Sequence, residues 1–173
     1  LIVAGASEAQ AAAALKAAGE ALAGQVNRIA NSGGKVLIST VPDLGLTPFA
    51  ISENAVLVGR AALLTRLTKA FNDNLRNKII NDGRRIGLLL TDELVQAVVR
   101  NPAGAGLVDV ARAVCDPAFL PPACKTKTLV RPPGAAASAS ASTYLWANDR
   151  LFSSSGQSLL GSQAVSRASG NPF

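Results

Sequence analysis

The stretch KVLISTVPDLGLTP, residues 35–48, joins an apolar run to a loop rich in proline, glycine and aspartate. Its first part, through Val41, has no charge after Lys35, which is typical of a strand buried on both faces of a parallel sheet. Pro42 cannot donate a hydrogen bond to a neighbouring strand, so the strand is expected to end there. Asp43 follows directly, where an aspartate commonly turns or caps a loop.

Strand-like and helix-like patterns alternate on both sides of this stretch. Leu1–Ala4 and Ile86–Leu90 are further short apolar runs. In Glu8–Asn31 and in residues 54–81 apolar side chains recur every three or four positions, which predicts one long helix in each range. Strands that alternate with helices indicate a parallel sheet covered on both faces. We therefore expect an α/β fold, a three-layer α/β/α sandwich around a short parallel sheet with strands near residues 1–4, 35–41 and 86–90.

The second half of the chain has fewer regular patterns. Residues 92–100 predict a short helix, and residues 155–168 predict a final one. The chain between them, residues 102–143, is expected to be irregular. A low-complexity run of glycine, alanine and serine predicts a flexible loop over residues 132–143. The whole chain, residues 1–173, is expected to form one domain.

The composition is that of a globular protein rather than a membrane protein. Of the 173 residues, 49% are hydrophobic and 4% aromatic, with a mean hydropathy of +0.27. No apolar run reaches the ~18–20 residues that a membrane span requires, so no transmembrane segment is expected. The chain opens on an apolar run, without the basic region and cleavage site of a signal peptide. This opening indicates a fragment or a processed product of a longer precursor.

The charge and the metal-binding residue types exclude several functions. The net charge is +6, but the basic residues are dispersed and have few aromatic residues among them. A nucleic-acid-binding face would show a dense basic patch, so a basic solvated surface is the simpler interpretation and no nucleic-acid partner is expected. The chain has no histidine and two cysteines, fewer than the usual four ligands of a zinc site. No metal and no cofactor are expected.

The two cysteines enclose a proline-rich loop. Cys115 and Cys124 flank residues 116–123, which include three prolines. Redox and metal pairs more often have two residues between the cysteines, so we favour a disulfide that closes this loop, with two unpaired thiols as the alternative. A persistent disulfide implies an oxidising compartment, the periplasm or the cell exterior.

The spacing of several serines predicts structural roles. Ser7 with Gln10 three residues later fits a capping box at the start of the first long helix. Residues 153–155 are three consecutive serines before the last helix, and they fit its N-terminal cap.

Five segments, in order, resemble the sequence blocks of secreted bacterial esterases and lipases of the SGNH/GDSL family. Leu1–Glu8 resembles the block that ends in Gly-x-Asn-Asp after a strand, and Val41–Pro48 resembles the Leu-Pro-Asp-x-Gly-x-Thr-Pro loop. Leu67–Asn72 resembles the family's Phe-Asn-x-x-Leu helix, and Asn101–Leu107 its Asn-Pro-x-x-x-Gly stretch. Tyr144–Gln157 resembles the last block. The resemblance covers nearly the whole chain and implies an SGNH-hydrolase-like, flavodoxin-like topology that lacks its N-terminal strands.

The departures from the family pattern fall on the catalytic positions. The family's last block carries Asp-x-x-His, the acid and base of a Ser-His-Asp triad, where this chain has Asn148 and Leu151. The family's oxyanion-hole asparagine corresponds to Ser7, and the Gly-Asp-Ser-Leu block that carries the nucleophile has no counterpart in these 173 residues. A triad needs a base of near-neutral pKa to accept the serine proton. Ser7, Asn148 and Leu151 are therefore degenerate family positions rather than catalytic residues.

The resemblance still implies a set of ligand-binding candidates, which are Gly5, Ser7, Asp43, Trp146 and Asn148. Three of them have a plainer alternative. The aspartate is expected to cap its loop and the serine its helix. The tryptophan is expected to be a packing residue at the rim of the former active site, with a ligand platform as the minor interpretation. Asp149 could serve as a triad acid only with a histidine to orient, and the chain has none.

Three functions follow as hypotheses. The first is a non-catalytic SGNH/GDSL-like domain, secreted or periplasmic, with a binding or structural role; it would take a lipid or an ester as ligand. The second is an ester hydrolase whose serine-bearing N-terminal segment is cleaved or absent, and the third is a basic interaction module. The apolar edge of the sheet would be covered by an N-terminal segment of the same precursor or by a second copy, because an open edge invites association.

Overall fold

Two short parallel strands form the first sheet of the protein. The computed structural model describes residues 5–80, 83–119, 121–132 and 139–170. Strand β1 (Val36–Ser39) pairs in parallel with β2 (Ile86–Leu89), and Val36 lies opposite Ile86. The predicted strands at 35–41 and 86–90 are thus confirmed with slightly shorter bounds. The predicted strand at 1–4 lies outside the described residues.

Two long helices cover one face of this sheet. Helix α1 (Glu8–Asn31) has the predicted bounds, and Gly33 beyond its end adopts φ +97°. It packs against α3 (Arg60–Lys78) along its length. The buried side chains of this first core cluster come from both helices and from β2: Ala23, Val26, Ala30, Leu75, Ile79 and Ile86.

The single helix predicted over residues 54–81 is wrong. The chain forms two helices there, α2 (Pro48–Val56) and α3, separated by residues 57–59. Leu57 is extended at φ −142°, and Gly59 is left-handed at φ +97°, a conformation that favours glycine. The Asn54 carboxamide oxygen accepts a hydrogen bond from the Gly59 N–H at 2.8 Å, which holds the turn. Apolar spacing continues through the break, so periodicity alone did not detect it.

A second parallel sheet lies in the part of the chain that was expected to be irregular. Strand β3 (Asp109–Ala113) pairs with β4 (Tyr144–Trp146), with Asp109 opposite Tyr144. The prediction missed β3 because its sequence, DVARA, carries two charges and is not an apolar run. Within the described residues the architecture is mixed α/β, with five α-helices and two small two-stranded parallel sheets instead of the one expected sheet.

The last two helices connect the sheets. Helix α4 (Thr91–Arg100) follows β2 directly, and α5 (Ser154–Ser169) follows β4; both confirm predicted helices. Helix α5 packs against both β2 and β4. The second core cluster lies between α4, β4 and the chain that precedes β3, and its buried members are Val95, Val98, Leu107, Leu145 and Trp146.

The predicted flexible loop at 132–143 falls only partly on described residues. Residues 133–138 lie outside them. Beyond that gap, the Ala139 N–H donates to the Val130 carbonyl at 2.8 Å, and the hydroxyls of Ser154 and Ser155 donate to the Ala141 carbonyl, each at 3.1 Å. The end of this segment is therefore tied to the start of α5.

Candidate functional site

Polar side chains gather where β1 and β2 end. Thr40 follows β1 and Asp92 lies one residue into the helix that follows β2. The Thr40 hydroxyl donates to Asp92 Oδ1 at 2.7 Å and accepts from the Asp92 backbone N–H at 3.3 Å. Both residues are buried. In open α/β sheets, ligands bind outside the carboxyl ends of the strands, so this edge is where a site is expected.

Helix α3 contributes the residue that connects the two strand ends. Asn72 is fully buried. Its amide donates to the Val41 carbonyl at 2.8 Å and to Asp92 Oδ2 at 3.1 Å, and its oxygen accepts from the Val41 N–H at 3.0 Å. One side chain thus satisfies both polar backbone groups of the residue at which the chain leaves the sheet.

An arginine on the next turn of α3 supplies the opposite charge. Arg76 Nη2 lies 2.6 Å from Asp92 Oδ1 and 3.2 Å from Glu93 Oε1. The aspartate side chain is 11% exposed and the glutamate 57%, so only the first pair is largely desolvated. Arg76 Nε is buried and has no hydrogen-bond partner. This N–H is a free donor at the carboxyl edge of the sheet.

Asp43 is the centre of the loop after β1. Its Oδ1 accepts from the Gly45 N–H at 3.0 Å and from the Thr65 hydroxyl at 2.7 Å, while Oδ2 accepts from the Gln96 amide at 2.9 Å. The predicted capping role is therefore confirmed, and the carboxylate also links α3 to α4. A Cβ at Gly45 would overlap the Thr65 hydroxyl and the Ala61 carbonyl. The loop needs glycine here for close approach to α3.

These residues surround a pocket of ≈ 150 Å³ between the loop, α3 and α4. We call it the Asp43–Asp92 pocket. Its lining is entirely polar or charged: Asp43, Thr65, Thr68, Lys69, Asp73, Arg76, Asp92, Glu93 and Gln96. Lys69 and Asp73 form an exposed ion pair at 2.6 Å. The buried carboxylates have their hydrogen-bond partners, whereas the buried Nε–H of Arg76, a lining residue, has none.

The N-terminal candidates lie at the start of α1. The Ser7 hydroxyl accepts from the Gln10 N–H at 3.2 Å, and the Gln10 side chain accepts from the Ser7 N–H at 2.8 Å. The predicted capping box is confirmed. Gly5 is exposed, with φ +77°. Arg66 Nε on α3 lies 2.7 Å from Glu8 Oε1 in the first turn of α1. Arg66 directly follows Thr65, which bonds to Asp43, so the start of α1 contacts α3 next to the Asp43 loop.

Among the described residues, two ion pairs shift pKa values, and both lie outside the pocket. The hydrogen bond from Arg66 lowers the pKa of the Glu8 carboxyl, and the same bond raises the pKa of the Arg66 guanidinium. The hydrogen bond to Asp109 at 2.5 Å raises the pKa of Arg112, with a further contribution from the charge of Asp109. These shifts favour the charged forms, as expected for paired groups.

The two triad-like positions of the tail have local roles. Asn148 Oδ1 accepts from the N–H groups of Arg150 and Leu151, at 2.9 and 2.7 Å, which forms a tight turn. The Leu151 side chain is exposed. The turn lies beside α2, because the Phe49 N–H donates to the Asp149 carbonyl at 3.0 Å. The Asp149 carboxylate forms an exposed pair with Arg150 at 3.2 Å.

Trp146 does not lie at a rim. It is completely buried, stacks on Phe152 with ring centroids 4.9 Å apart, and donates its indole N–H to the Val110 carbonyl at 2.9 Å. A tryptophan with its N–H satisfied is typical of a core. The packing interpretation is therefore correct, but the expected position at the rim of a site is wrong, and a ligand could not reach the ring without rearrangement of β4.

Sequence reasoning found Asp43 but missed the buried polar residues around Asp92 at the same edge of the sheet. Thr40, Asn72, Arg76 and Asp92 were not singled out, although a signal was present. Thr68, Asn72 and Arg76 recur every four residues on α3, so polar residues occupy a helix face next to its apolar one. Polar groups on such a face usually need buried partners.

The two cysteines have a structural role. Cys115 and Cys124 form a disulfide with Cα atoms 5.7 Å apart, as predicted. In the described ranges, no group of three or more acidic or cysteine side chains is arranged to hold a metal ion. None of the described helices is long and apolar enough to cross a membrane.

Comparison with known proteins adds no assignment. No protein-family model matches the sequence, and a search of curated proteins gives no match. The residues and their geometry are therefore the basis on which a function can be assigned. The arrangement offers a polar cavity with one free donor, and the chain has no imidazole to activate a nucleophile.

Proposed function

We propose that this chain is a non-catalytic SGNH/GDSL-like domain that binds a small ester or lipid-derived ligand at the Asp43–Asp92 pocket. The observation that carries the proposal is that neither triad-like position of the tail holds a catalytic side chain. Asn148 uses its side-chain oxygen to close its own turn, and Leu151, where the resemblance calls for histidine, is an exposed aliphatic residue. The family-like sequence of the Val41–Pro48 loop, in a chain without the triad residues, favours binding over hydrolysis.

The pocket supports an oxygen-bearing neutral ligand. Its buried carboxylates are already paired, and its single unused buried group is the Arg76 Nε–H. A donor of this kind fits an ester carbonyl or a hydroxyl oxygen. The carboxylates in the lining outnumber the cations, which disfavours an anion. A three-layer sandwich with SGNH topology is the finer fold that we propose with this function.

Activity is the first test of the proposal. The 173-residue chain should not hydrolyse p-nitrophenyl acetate above buffer, and a fluorophosphonate probe should label no serine. A triad-deleted hydrolase can retain ~10³–10⁴-fold acceleration from its oxyanion hole, but Ser7 replaces the asparagine donor and is already used as a helix cap. The double variant Asn148→Asp, Leu151→His should remain inactive. Stoichiometric labelling of any serine in the unmodified chain would overturn the proposal in favour of an ester hydrolase.

Binding is tested separately with methyl butyrate as the probe. Amide shifts in an NMR titration should change at residues 43–45, 65–76 and 92–96, while the methyl butyrate signals remain those of the intact ester. Formation of butyrate would indicate an enzyme. Absence of shifts at saturating probe would reject the binding role of this pocket.

The disulfide supports an oxidising, extracytoplasmic compartment, and we propose that the chain is secreted or periplasmic. Labelling of the native protein with a thiol reagent should be negligible, and reduction under denaturing conditions should release both cysteines. A non-reduced digest should contain one linked peptide pair. Full labelling of both thiols in native protein isolated without added oxidant would contradict the assignment.

A further inference from the structure

A second cavity, outside the Asp43–Asp92 pocket, lies between β2 and the C-terminal half of α5. Its volume is ≈ 290 Å³, close to the lower end of the range for small-molecule sites. Residues 88–90 form one wall, and Gln163, Ser166, Arg167 and Gly170 form the other. We call it the β2–α5 cavity.

The two walls have opposite character. Residues 88–90 are three consecutive leucines; because Leu88 packs against the first core cluster, the side chain of Leu89 is the one on the opposite face of the strand. The α5 residues are three or four positions apart and therefore share one face of the helix. Earlier on this helix, Leu159 packs into the second core cluster. The inward face of α5 thus changes from apolar to polar where the cavity opens, although the strand opposite remains apolar.

Two polar atoms of this wall are buried without a partner. They are Gln163 Oε1 and Arg167 Nε. Buried polar groups in folded proteins are normally hydrogen-bonded, and an exception requires an explanation such as an absent ligand. No ion pair of Arg167 is present among the described residues. Helix α5 has no acidic residue, and the carboxylates that follow β2, Asp92 and Glu93, are paired with Arg76.

The chemistry of the two walls selects a ligand class. A guanidinium binds carboxylates through parallel N–H donors, and such charge-assisted bonds are stronger than neutral ones. The side-chain amide of Gln163 can turn either its oxygen or its nitrogen toward the cavity, so it can add a second donor. The leucine wall suits an aliphatic chain. One guanidinium matches a single negative charge better than a doubly charged phosphate.

We propose that the β2–α5 cavity binds a short-chain aliphatic monocarboxylate, with the carboxylate on Arg167 and Gln163 and the alkyl chain against Leu89 and Leu90. The proposal does not depend on the function assigned to the Asp43–Asp92 pocket, because the two cavities share no lining residue.

The test is a calorimetric titration of the full chain with hexanoate, compared with 1-hexanol and acetate. Hexanoate should bind with a Kd of about 1 mM or lower. The alcohol lacks the charge and acetate lacks the chain, so each should bind at least ~10-fold more weakly. Absence of hexanoate binding, or equal binding of hexanol, would overturn the proposal.

Variants then assign the site. Arg167→Gln should raise the hexanoate Kd at least ~10-fold, whereas Arg131→Gln, an exposed arginine outside the lining, should leave it unchanged. Ser166→Phe keeps the guanidinium but places a ring at the cavity wall, and it should also abolish binding. Thermal melts confirm that each variant is folded. Unchanged hexanoate affinity in a folded Arg167→Gln protein would reject the site.

Discussion

Asn72 is a buried residue that joins the ends of both strands of the first sheet. It satisfies both backbone polar groups of Val41 and one oxygen of Asp92, and it is fully buried. An apolar replacement would leave three buried groups without a partner. Each such group costs about 1–3 kcal/mol, although neighbours relax in part.

Asn72→Ala should therefore lower the free energy of unfolding by about 2–4 kcal/mol. Asn74→Ala on the same helix is the matched control, because Asn74 makes one bond to its own helix at Ala70. The control should change stability by less than about 0.5 kcal/mol. Urea unfolding followed by circular dichroism measures both. Equal effects of the two variants would show that the contacts to Val41 and Asp92 are not stabilising.

The residues that sequence reasoning identified are those whose partners are local. Ser7 bonds with Gln10, Asp43 caps the turn at Gly45, and Cys115 pairs across a short loop. Asn72 and Arg76 were missed because their partners lie 31 and 16 residues away in sequence. Only the docking of α3 onto the strand ends brings these groups together, and no local pattern specifies that docking.

At the scale of elements, the backbones of α1 and α3 approach each other closely at Gly19. A Cβ there would overlap the Phe71 carbonyl oxygen and lie 3.1 Å from the Leu75 backbone nitrogen. Gly24, one and a half turns further along α1, has nothing within 4 Å of its Cβ position. The two glycines therefore lie in the same helix, but only Gly19 is packed against α3.

Gly19→Ala should destabilise the protein by about 1–3 kcal/mol, because α1 must move away from α3. Gly24→Ala should stabilise it by about 0.5–1 kcal/mol, since alanine has the higher helix propensity. Thermal and urea unfolding of the pair give the difference. A stabilising Gly19→Ala substitution would contradict the packing of α1 on α3.

The periodicity of apolar residues predicted the elements whose sequence pattern is unbroken. It failed where the bounds of an element depend on side-chain contacts. The bounds of α1 were predicted, because an alanine-rich amphipathic run begins at a capping box and ends at glycines. The break between α2 and α3 depends on a side-chain bond from Asn54. Strand β3 contains Asp109 and Arg112, which pair with each other, so the strand did not resemble a buried one.

At the scale of the whole molecule, α5 holds the two sheets together. It packs on β2 and on β4, which belong to different sheets. Its first turn is fixed by Ser153, whose hydroxyl donates to the Tyr144 carbonyl and accepts from the N–H groups of Ser155 and Gly156. The start of α5 therefore lies close to the backbone of β4, and larger side chains in this first turn would not fit there.

Gly156 is the position at which this contact can be tested. A Cβ there would lie 2.7 Å from the Leu145 carbonyl oxygen and 2.8 Å from the Phe152 ring. Gly156→Ala should displace the start of α5 from β4 and lower the free energy of unfolding by about 1–3 kcal/mol. Gly161→Ala, in the same helix with nothing within 4 Å, should raise it by about 0.5–1 kcal/mol.

Hydrogen exchange distinguishes a local from a global effect of Gly156→Ala. Because α5 contacts both sheets, the amides of β2 as well as those of β4 should exchange faster in this variant and should be unaffected in Gly161→Ala. Faster exchange confined to α5 would mean that the helix can detach while each sheet stays intact, and it would contradict the joining role. Loss of protection in both sheets would instead identify α5 as the element through which they unfold as one cooperative unit.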